Sequence, residues 1–424
     1  MVWLDASGKP LLESEPMVPL FAAKSSETNA HPIDIASAGD LKRYLSEIDV
    51  SDEDIERIAD RFLYCTVKLE GVDTRAANLI TSCVEALGGS AAMRSGAHEF
   101  TVRETDLIVT GSRYTLQLLA LRLKGEPFGL DGIGADIAAC TMQRTRMMSW
   151  GSRTLDFTHT TYVMGILNCT PDSFYPTTRA TTIKEAVKTA REMIEAGVDI
   201  IDVGGESTRP GSEPVPLEEE IRRVIPVIQA LREVSSVMIS VDTRKKEVAE
   251  RALDAGADIV NDISGLHHNE DLARLVARRR VPVVLMHMRG TPKTMQQKPY
   301  FKNTISEILR ELQPSIAAAL GAGIAPEMII IDPGIGFGKR MQDNLRIIRE
   351  LASLKSLNFP ILIGLSRKGF IGEILDRPVE KRLVGTVTAN TLAIINGANI
   401  IRVHDVADAV EMVKIIDSVR RIGS

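Results

Sequence analysis

The sequence predicts an α/β protein: a (β/α)8 TIM barrel preceded by a small α+β N-terminal domain. Three observations predict it. From Tyr162 onward, short apolar runs alternate with longer amphipathic stretches. Eight such pairs occupy about 260 residues, a usual size for a closed barrel. Each apolar run ends in polar residues, and barrels build their sites at the C-terminal ends of strands. An open doubly wound sheet is the alternative. It usually has fewer units and a dinucleotide fingerprint, whose glycine spacing Gly334-Ile-Gly-Phe-Gly338 does not reproduce.

The strands are expected at Tyr162–Asn168, Asp199–Val203, Val237–Asp242, Ile259–Asp262, Val281–His287, Met328–Asp332, Pro360–Leu365 and Ile400–His404. Amphipathic spacing puts helices at Lys184–Ala196, Glu218–Glu233, Lys245–Ala255, Glu270–Arg278, Thr304–Ala322, Met341–Leu354, Arg382–Asn396 and Asp405–Arg420. Several stop at glycine (Gly197, Gly256, Gly323, Gly397), which adopts the left-handed conformation that ends a helix.

The domain reading is an extended arm over 1–35, an α+β domain over 36–150 and the barrel over 160–424. Pro10, Pro16, Pro19 and Pro32 mark the arm. Ala38–Asp60 reads as one or two acidic helices, with Ser51 as an N-cap. Strands are expected at Phe62–Leu69, His98–Val102 and Asp106–Thr110. Helices are expected at Thr74–Leu87, at Arg113–Leu123 and near Cys140. Met147–Thr160 reads as a linker. The barrel, needing no further strand, is expected to fold without residues 1–150. No role for the first domain follows from its residues.

Composition narrows the function. The chain has 424 residues, 44% hydrophobic and 25% charged, as in globular proteins. A net charge of −5 and a pI near 5.9 argue against nucleic acid as a partner. No apolar run reaches the length that spans a bilayer, and no secretory signal pattern opens the chain, so a cytoplasmic protein is expected. Cys65, Cys83, Cys140 and Cys169 form no CxxC pair and read as buried free thiols.

The chemistry stands at the strand ends. Strand one leads to Asn168, Asp172 and Phe174. Strand two leads through Gly204-Gly205 to Glu206, Thr208, Arg209 and Pro210. The next four end in Asp242, in Asn261-Asp262, in Met286-His287 and in Asp332. The last two lead to Ser366-Arg367-Lys368 and to Arg402 and His404-Asp405. Singly, each has a plain structural use. Asp405 suits the cap of the last helix, and His287 suits a hydrogen-bonded rim position. Together they sort by chemistry. Arg402, His404, Arg209 and Lys368 suit an anion. Asn168 and Asp172 offer hard oxygens to Mg2+ shared with substrate phosphates. Asp242, Asn261 and Asp332 suit the amino-amide edge of a flat heterocycle, with Phe337 as an apolar lid over the Gly336 turn. The residues therefore point to a planar heterocycle joined to a phosphorylated group.

The segments Met164–Phe174, Ile201–Gly211, Ile239–Thr243, Asn261–Ile263, Leu285–Met288, Asp332–Lys339, Ser366–Lys368 and Ile401–Asp405 follow one another as in the dihydropteroate synthase family, which this part of the chain resembles. The resemblance implies joining 6-hydroxymethyl-7,8-dihydropterin diphosphate to p-aminobenzoate, with Mg2+ as cofactor, in a homodimer. It implies a pterin site of Asp242, Asn261, Asp332 and Lys368, lined by Ile263 and Met286, with Gly336 among the substrate-binding residues. Asn168, Arg402 and His404 would face the diphosphate and metal. Thr208, Pro210, Phe337, Ser366 and Lys368 would face p-aminobenzoate, and Arg209 and the Asp172–Phe174 segment would belong to loops that close over the site. The resemblance gives Asp242, Asp332, Lys368 and Arg402 the catalytic weight. The family's usual Ser-Asp-Gly-Gly after Ser-Phe is replaced by Tyr175-Pro-Thr-Thr-Arg179. The rivals are a pterin-dependent methyltransferase, which needs no diphosphate site, and a catalytically silent pterin-binding scaffold.

Overall fold

A computed structural model of the chain describes residues 35, 38–141, 147–169, 179–206, 212–267, 269–291 and 293–422. The expected arm lies almost wholly outside them. Residues 1–59 and 60–424 are separate compact units. The first holds α1 (Ala38–Ser46) and most of α2 (Asp52–Phe62), around Leu41, Leu45 and Ile55. Ser51 Oγ accepts from Asp54 N–H at 3.2 Å, as its N-cap reading requires.

The second unit opens with β1 (Tyr64–Asp73), α3 (Thr74–Ala86), β2 (Ser90–Met93), β3 (Glu104–Ser112), α4 (Arg113–Arg122) and α5 (Leu130–Thr141). The sheet is antiparallel in the order β1-β3-β2. Alternation buries Val67, Leu69, Leu107 and Val109 against Ile80, Leu116 and Ile137 of the helices. His98–Val102, expected as a strand, forms turns instead. Gly96 adopts φ +84° and its carbonyl accepts from Thr101 N–H at 3.0 Å, closing the chain on itself. The third strand is Ser90–Met93. A register irregularity between Leu69 and Val72 bends β1 at Glu70-Gly71.

The expected linker is a hairpin, β4 (Met147–Trp150) and β5 (Arg153–Asp156). Beyond it run β6 (Tyr162–Asn168), α6 (Arg179–Ala196), β7 (Ile200–Gly204), α7 (Leu217–Val234), β8 (Met238–Asp242), α8 (Lys246–Asp254), β9 (Ile259–Asp262), α9 (Glu270–Arg279) and β10 (Val283–Met286). They continue with α10 (Thr304–Gly321), β11 (Ile329–Asp332), α11 (Met341–Arg349), β12 (Leu362–Ile363), α12 (Gly369–Leu375), α13 (Leu383–Ile395), β13 (Ile400–Val403) and α14 (Val406–Arg420). The parallel sheet runs β11-β10-β9-β8-β7-β6-β13-β12 and closes through a bridge between Ile331 and Ile361. This is the predicted barrel. Two local differences stand out: α11 gives way to a 3-10 segment over Leu351–Leu357, and the short α12 adds a helix to the expected set.

Two cores hold the barrel. Outward strand residues such as Ile201, Val241, Leu285 and Ile331 pack on the helices. Inside, Met164, Ile200, Ile259, Val284, Ile330, Leu362 and Ile400 form a layer near the strand starts. The hairpin closes that end with Met148, Trp150, Leu155 and Phe157, all buried against the layer. Arg153 fixes it from outside, donating to Asp258 at 3.2 Å and to the Ser236 carbonyl at 2.6 Å. The polar C-terminal strand ends lie at the opposite end.

Candidate functional site

At the strand ends, β7, β8, β9 and β13 bring together a buried ionic cluster. Arg402 donates from Nε to Asp202 Oδ2 at 2.6 Å and from Nη2 to Asp242 Oδ2 at 2.8 Å. Asn261 Nδ2 donates to the same Asp202 oxygen at 3.0 Å. Register explains the grouping: Gly204 pairs with Asp242, and Asp242 pairs with Asn261. Burial raises the Asp242 carboxyl, Arg402 opposes that, and Asp202 reinforces it. Burial alone would lower Arg402, but the two carboxylates outweigh it and the guanidinium is held above its usual value.

Asp202 is absent from the residues expected at the site, yet it is fully buried at the centre of this cluster. Its Oδ1 has no hydrogen-bond partner among the described residues. The available signal is a carboxylate inside the apolar run Ile200–Val203, a position that demands a partner.

Across the cleft, Asp332 ends β11 and accepts from Gly334 N–H at 2.7 Å. The turn that follows crosses the end of β10 so closely that a Cβ on Gly334 or Gly338 would collide with the His287 or Arg289 carbonyl. Gly334, Gly336 and Gly338 all have φ between +66° and +82°. Glycine is needed there for conformation and for space. The turn sets Phe337 beside Ile263, Met286 and Met295 in an apolar wall. Lys368 Nζ stands 4.5 Å from the Phe337 ring centroid, a cation–π contact. Burial pushes Lys368 down to about 8, with Asp332 opposing the shift. Asp332 is raised, again chiefly by burial.

Lys368 owes its place to a strained residue. Arg367 has φ +55°, which a non-glycine residue rarely adopts. Its guanidinium is held by Asp405 at 2.6 and 2.9 Å, and its N–H by Thr386 Oγ1 at 3.0 Å. Asp405 thus stands at the N-cap position of α14, but its carboxylate anchors Arg367 and makes no cap bond. The charged guanidinium is the stronger partner. Ser366 Oγ lies 3.0 Å from His404 Nδ1 and accepts from His404 N–H at 3.2 Å. Burial, aided by Arg402, pushes His404 down to about 4, which favours the neutral imidazole.

The structure therefore brings together Asp242, Asn261, Ile263, Met286, Asp332, Gly336, Phe337, Ser366, Lys368, Arg402 and His404 around the strand ends. Asn168 ends β6 level with Gly204. Thr208, Arg209 and Pro210, and the Asp172–Phe174 segment, lie outside the described residues. Glu206 has a structural role. It accepts from Lys245 at 2.6 Å, Arg244 at 3.0 Å and Val215 N–H at 3.2 Å, tying the β7–α7 connection to the start of α8. Beneath the Gly334–Gly338 turn lies Lys339, a residue to which its motif assigns no role. It is buried, with Nζ 2.9 Å from His287 Nδ1 and 3.1 Å from the Phe337 carbonyl. Of the four cysteines, only Cys169 is fully buried; the others are half-buried, and all four are free thiols.

The "Pterin binding enzyme" family model matches residues 164–404. A dihydropteroate synthase of Synechocystis sp. is 46% identical over 276 residues, covering 65% of this chain and 93% of that protein. A Haloferax volcanii protein named "Probable bifunctional folylpolyglutamate synthase/dihydropteroate synthase" is 38% identical over 391 residues. That match covers 89% of this chain and 46% of that protein, so it reaches beyond the barrel. The solved dihydropteroate synthase of Xanthomonas albilineans with 4-aminobenzoic acid superposes with a TM-score of 0.61 at 42% identity, covering 65% of this chain and 99% of that one. No helix among the described residues is long and apolar enough to cross a membrane. With more than half of its length matched by the family model, and with synthases matched over nearly their whole length, this chain belongs to the pterin binding enzymes and, among them, to the dihydropteroate synthase family.

Proposed function

We propose that the barrel condenses 6-hydroxymethyl-7,8-dihydropterin diphosphate with p-aminobenzoate, giving 7,8-dihydropteroate and pyrophosphate. The supporting observation is the joining of buried carboxylates and buried cations in one cleft: Asp202, Asp242 and Asp332 with Arg402 and Lys368. Asn261, Asp332 and Lys368 present acceptors and donors to the amino-amide edge of a pterin. The unpartnered Asp202 Oδ1 is satisfied by a ring N–H. Arg402 and the neutral His404 face the diphosphate. The p-aminobenzoate seen in the Xanthomonas relative supports an arylamine site here, beside Phe337, Ser366 and Lys368.

The bond between the methylene carbon and the diphosphate oxygen breaks first, with both electrons leaving on oxygen. Asp242 and Asp332 stabilise the cation left on the pterin methylene. The neutral arylamine then adds through its nitrogen lone pair, and its proton passes to water or to the released pyrophosphate. No strong base is needed. Among the described residues no group of three or more His, Cys, Asp or Glu could cage a metal. Asn168 offers a hard oxygen, which fits Mg2+ held mainly by substrate phosphates and water. Bound so, Mg2+ would neutralise charge on the leaving diphosphate.

The test is incubation of the protein with both substrates and Mg2+, measuring pyrophosphate and dihydropteroate together. Equal formation of the two is expected, and Lys368→Ala should abolish both without unfolding the barrel. Folded wild-type protein that releases neither would overturn the proposal, as would methyl transfer from a methylated pterin. We further propose a homodimer through α11, α12 and α13. Leu345, Ile374, Val384 and Leu392 there are 40, 53, 77 and 49% exposed around one apolar groove.

A further inference from the structure

The small domain of residues 60–141 touches the barrel at a place that bears on the site. Glu70, at the bend of β1, accepts from Ser306 Oγ at 2.6 Å and from Asn303 Nδ2 at 3.3 Å. Lys68 also pairs with it, and Arg310 stands 3.7 Å away. Asn303 is the N-cap of α10, so Glu70 grips the first turn of the helix that follows β10. That end of α10 lies at the functional end of the barrel.

From this grip a continuous polar chain runs inward. Glu307 accepts from the Asn303 N–H at 2.7 Å and from Arg289 Nη2 at 2.6 Å. Arg289 also donates to Glu311 at 2.9 Å, and Glu311 lies 2.9 Å from His287 Nε2. His287 Nδ1 meets Lys339 Nζ, which also donates to the Phe337 carbonyl. Burial pushes His287 down to about 4, which keeps the imidazole neutral, with Nε2–H toward Glu311 and Nδ1 accepting from the lysine. Each link is a charged or buried hydrogen bond with defined direction, so a shift of α10 is passed to the turn that carries Phe337.

We infer that the small domain braces the active-site wall: Glu70, through the first turn of α10 and the Arg289–Glu311–His287–Lys339 chain, positions the Phe337 turn against the arylamine. Glu70 is a positioning residue and touches no substrate. The inference rests on the arylamine site proposed above, and its test has one readout that does not.

The full chain is compared with Glu70→Ala, Glu70→Gln and Ser306→Ala. Glu70→Ala should raise the KM for p-aminobenzoate about three- to tenfold while leaving the KM for the pterin diphosphate unchanged. Ser306→Ala should act in the same direction, and Glu70→Gln, which keeps an accepting oxygen, should fall between alanine and wild type. Independently of turnover, amide hydrogen exchange over residues 334–340 should quicken in Glu70→Ala. Folded variants with both KM values and that exchange unchanged overturn the inference. So does an equal rise in both KM values with a lowered unfolding temperature, which indicates general loosening. A wild-type protein without turnover would sink the proposed reaction, and the exchange readout would still decide on Glu70.

Discussion

Asp202→Asn probes the cluster most directly, because it removes one charge and almost no volume. Asp202 is fully buried and shares one oxygen between Arg402 at 2.6 Å and Asn261 at 3.0 Å. A hydrogen bond to a charged group contributes about 1.5–3 kcal/mol. Removing one partner of a buried pair costs about 3–5 kcal/mol when it leaves a charge unpaired. Here Arg402 keeps Asp242 at 2.8 Å, so the second figure is an upper bound. The asparagine also relieves the desolvation of Oδ1, which has no described partner. The expected net loss is about 2 kcal/mol, with charge-assisted bonding to the guanidinium as its main source. The assay is a double-mutant cycle with Arg402→Met, read from urea unfolding of the barrel. A coupling of about 2 kcal/mol is expected. A coupling below about 0.5 kcal/mol would show that the two residues merely lie close together and would refute the stabilising ion pair.

Three further outcomes are expected. Lys368, lowered to about 8, is charged below that pH and loses its charge as pH rises through it. In the proposed reaction kcat/KM should therefore fall above about pH 8, and Lys368→Arg should remove that limb, since a guanidinium does not titrate there. Deleting residues 1–158 should prevent folding, because it strips Met148, Trp150, Leu155 and Phe157 from the barrel floor; at about 1.5–3 kcal/mol each this loss rivals a whole domain's stability. A truncated barrel that stays soluble and unfolds cooperatively would refute that. Val384→Glu should yield monomers by sedimentation if the α11–α13 face joins two copies, and an unchanged mass would exclude that face.

The barrel was legible because its signals are local. A run such as Ile329–Asp332 declares a buried strand within four residues, and glycine stops mark the helices. The position of the candidate site was legible for the same reason: strand ends are fixed once strands are, so Asp242, Asn261, Asp332 and Arg402 could be placed at them without knowing their partners. What escaped depends on contacts distant in sequence. Met147–Asp156 contains Gly151 and short alternations that suit a linker as well as a hairpin. Only the apolar ring of Met164, Ile200 and Ile400 decides in favour of a plug. Deletion of residues 1–150, expected from the sequence to be harmless, would cut this plug in half. Likewise the Asp405 carboxylate had a near use, capping α14, and a distant one, holding Arg367. The distant one prevails because it secures a left-handed backbone at φ +55°.

That strained residue and the ionic cluster constrain each other. Asp202 and Asp242 pair with Arg402 on one side of the cleft and Asp332 stands with Lys368 on the other, and burial drives Asp242 and Asp332 up and Lys368 down. Each of these three shifts is toward the neutral form, whereas Arg402 is held in its charged form by Asp202 and Asp242. A cation forming on a bound ring would reverse the pressure on the carboxylates and favour their ionised state. Lys368 opposes that cation unless its charge is engaged elsewhere, as with the Phe337 ring face or a departing anion. The backbone turn at Arg367 fixes Lys368 in reach of both. A relaxed backbone there would move the lysine and leave the balance between carboxylates and cation to chance. The cost of holding Arg367 left-handed, about 1–3 kcal/mol, is therefore offset by the anchoring Asp405 and Thr386 bonds, and is best understood as the means by which one cation is kept at the edge of the cleft.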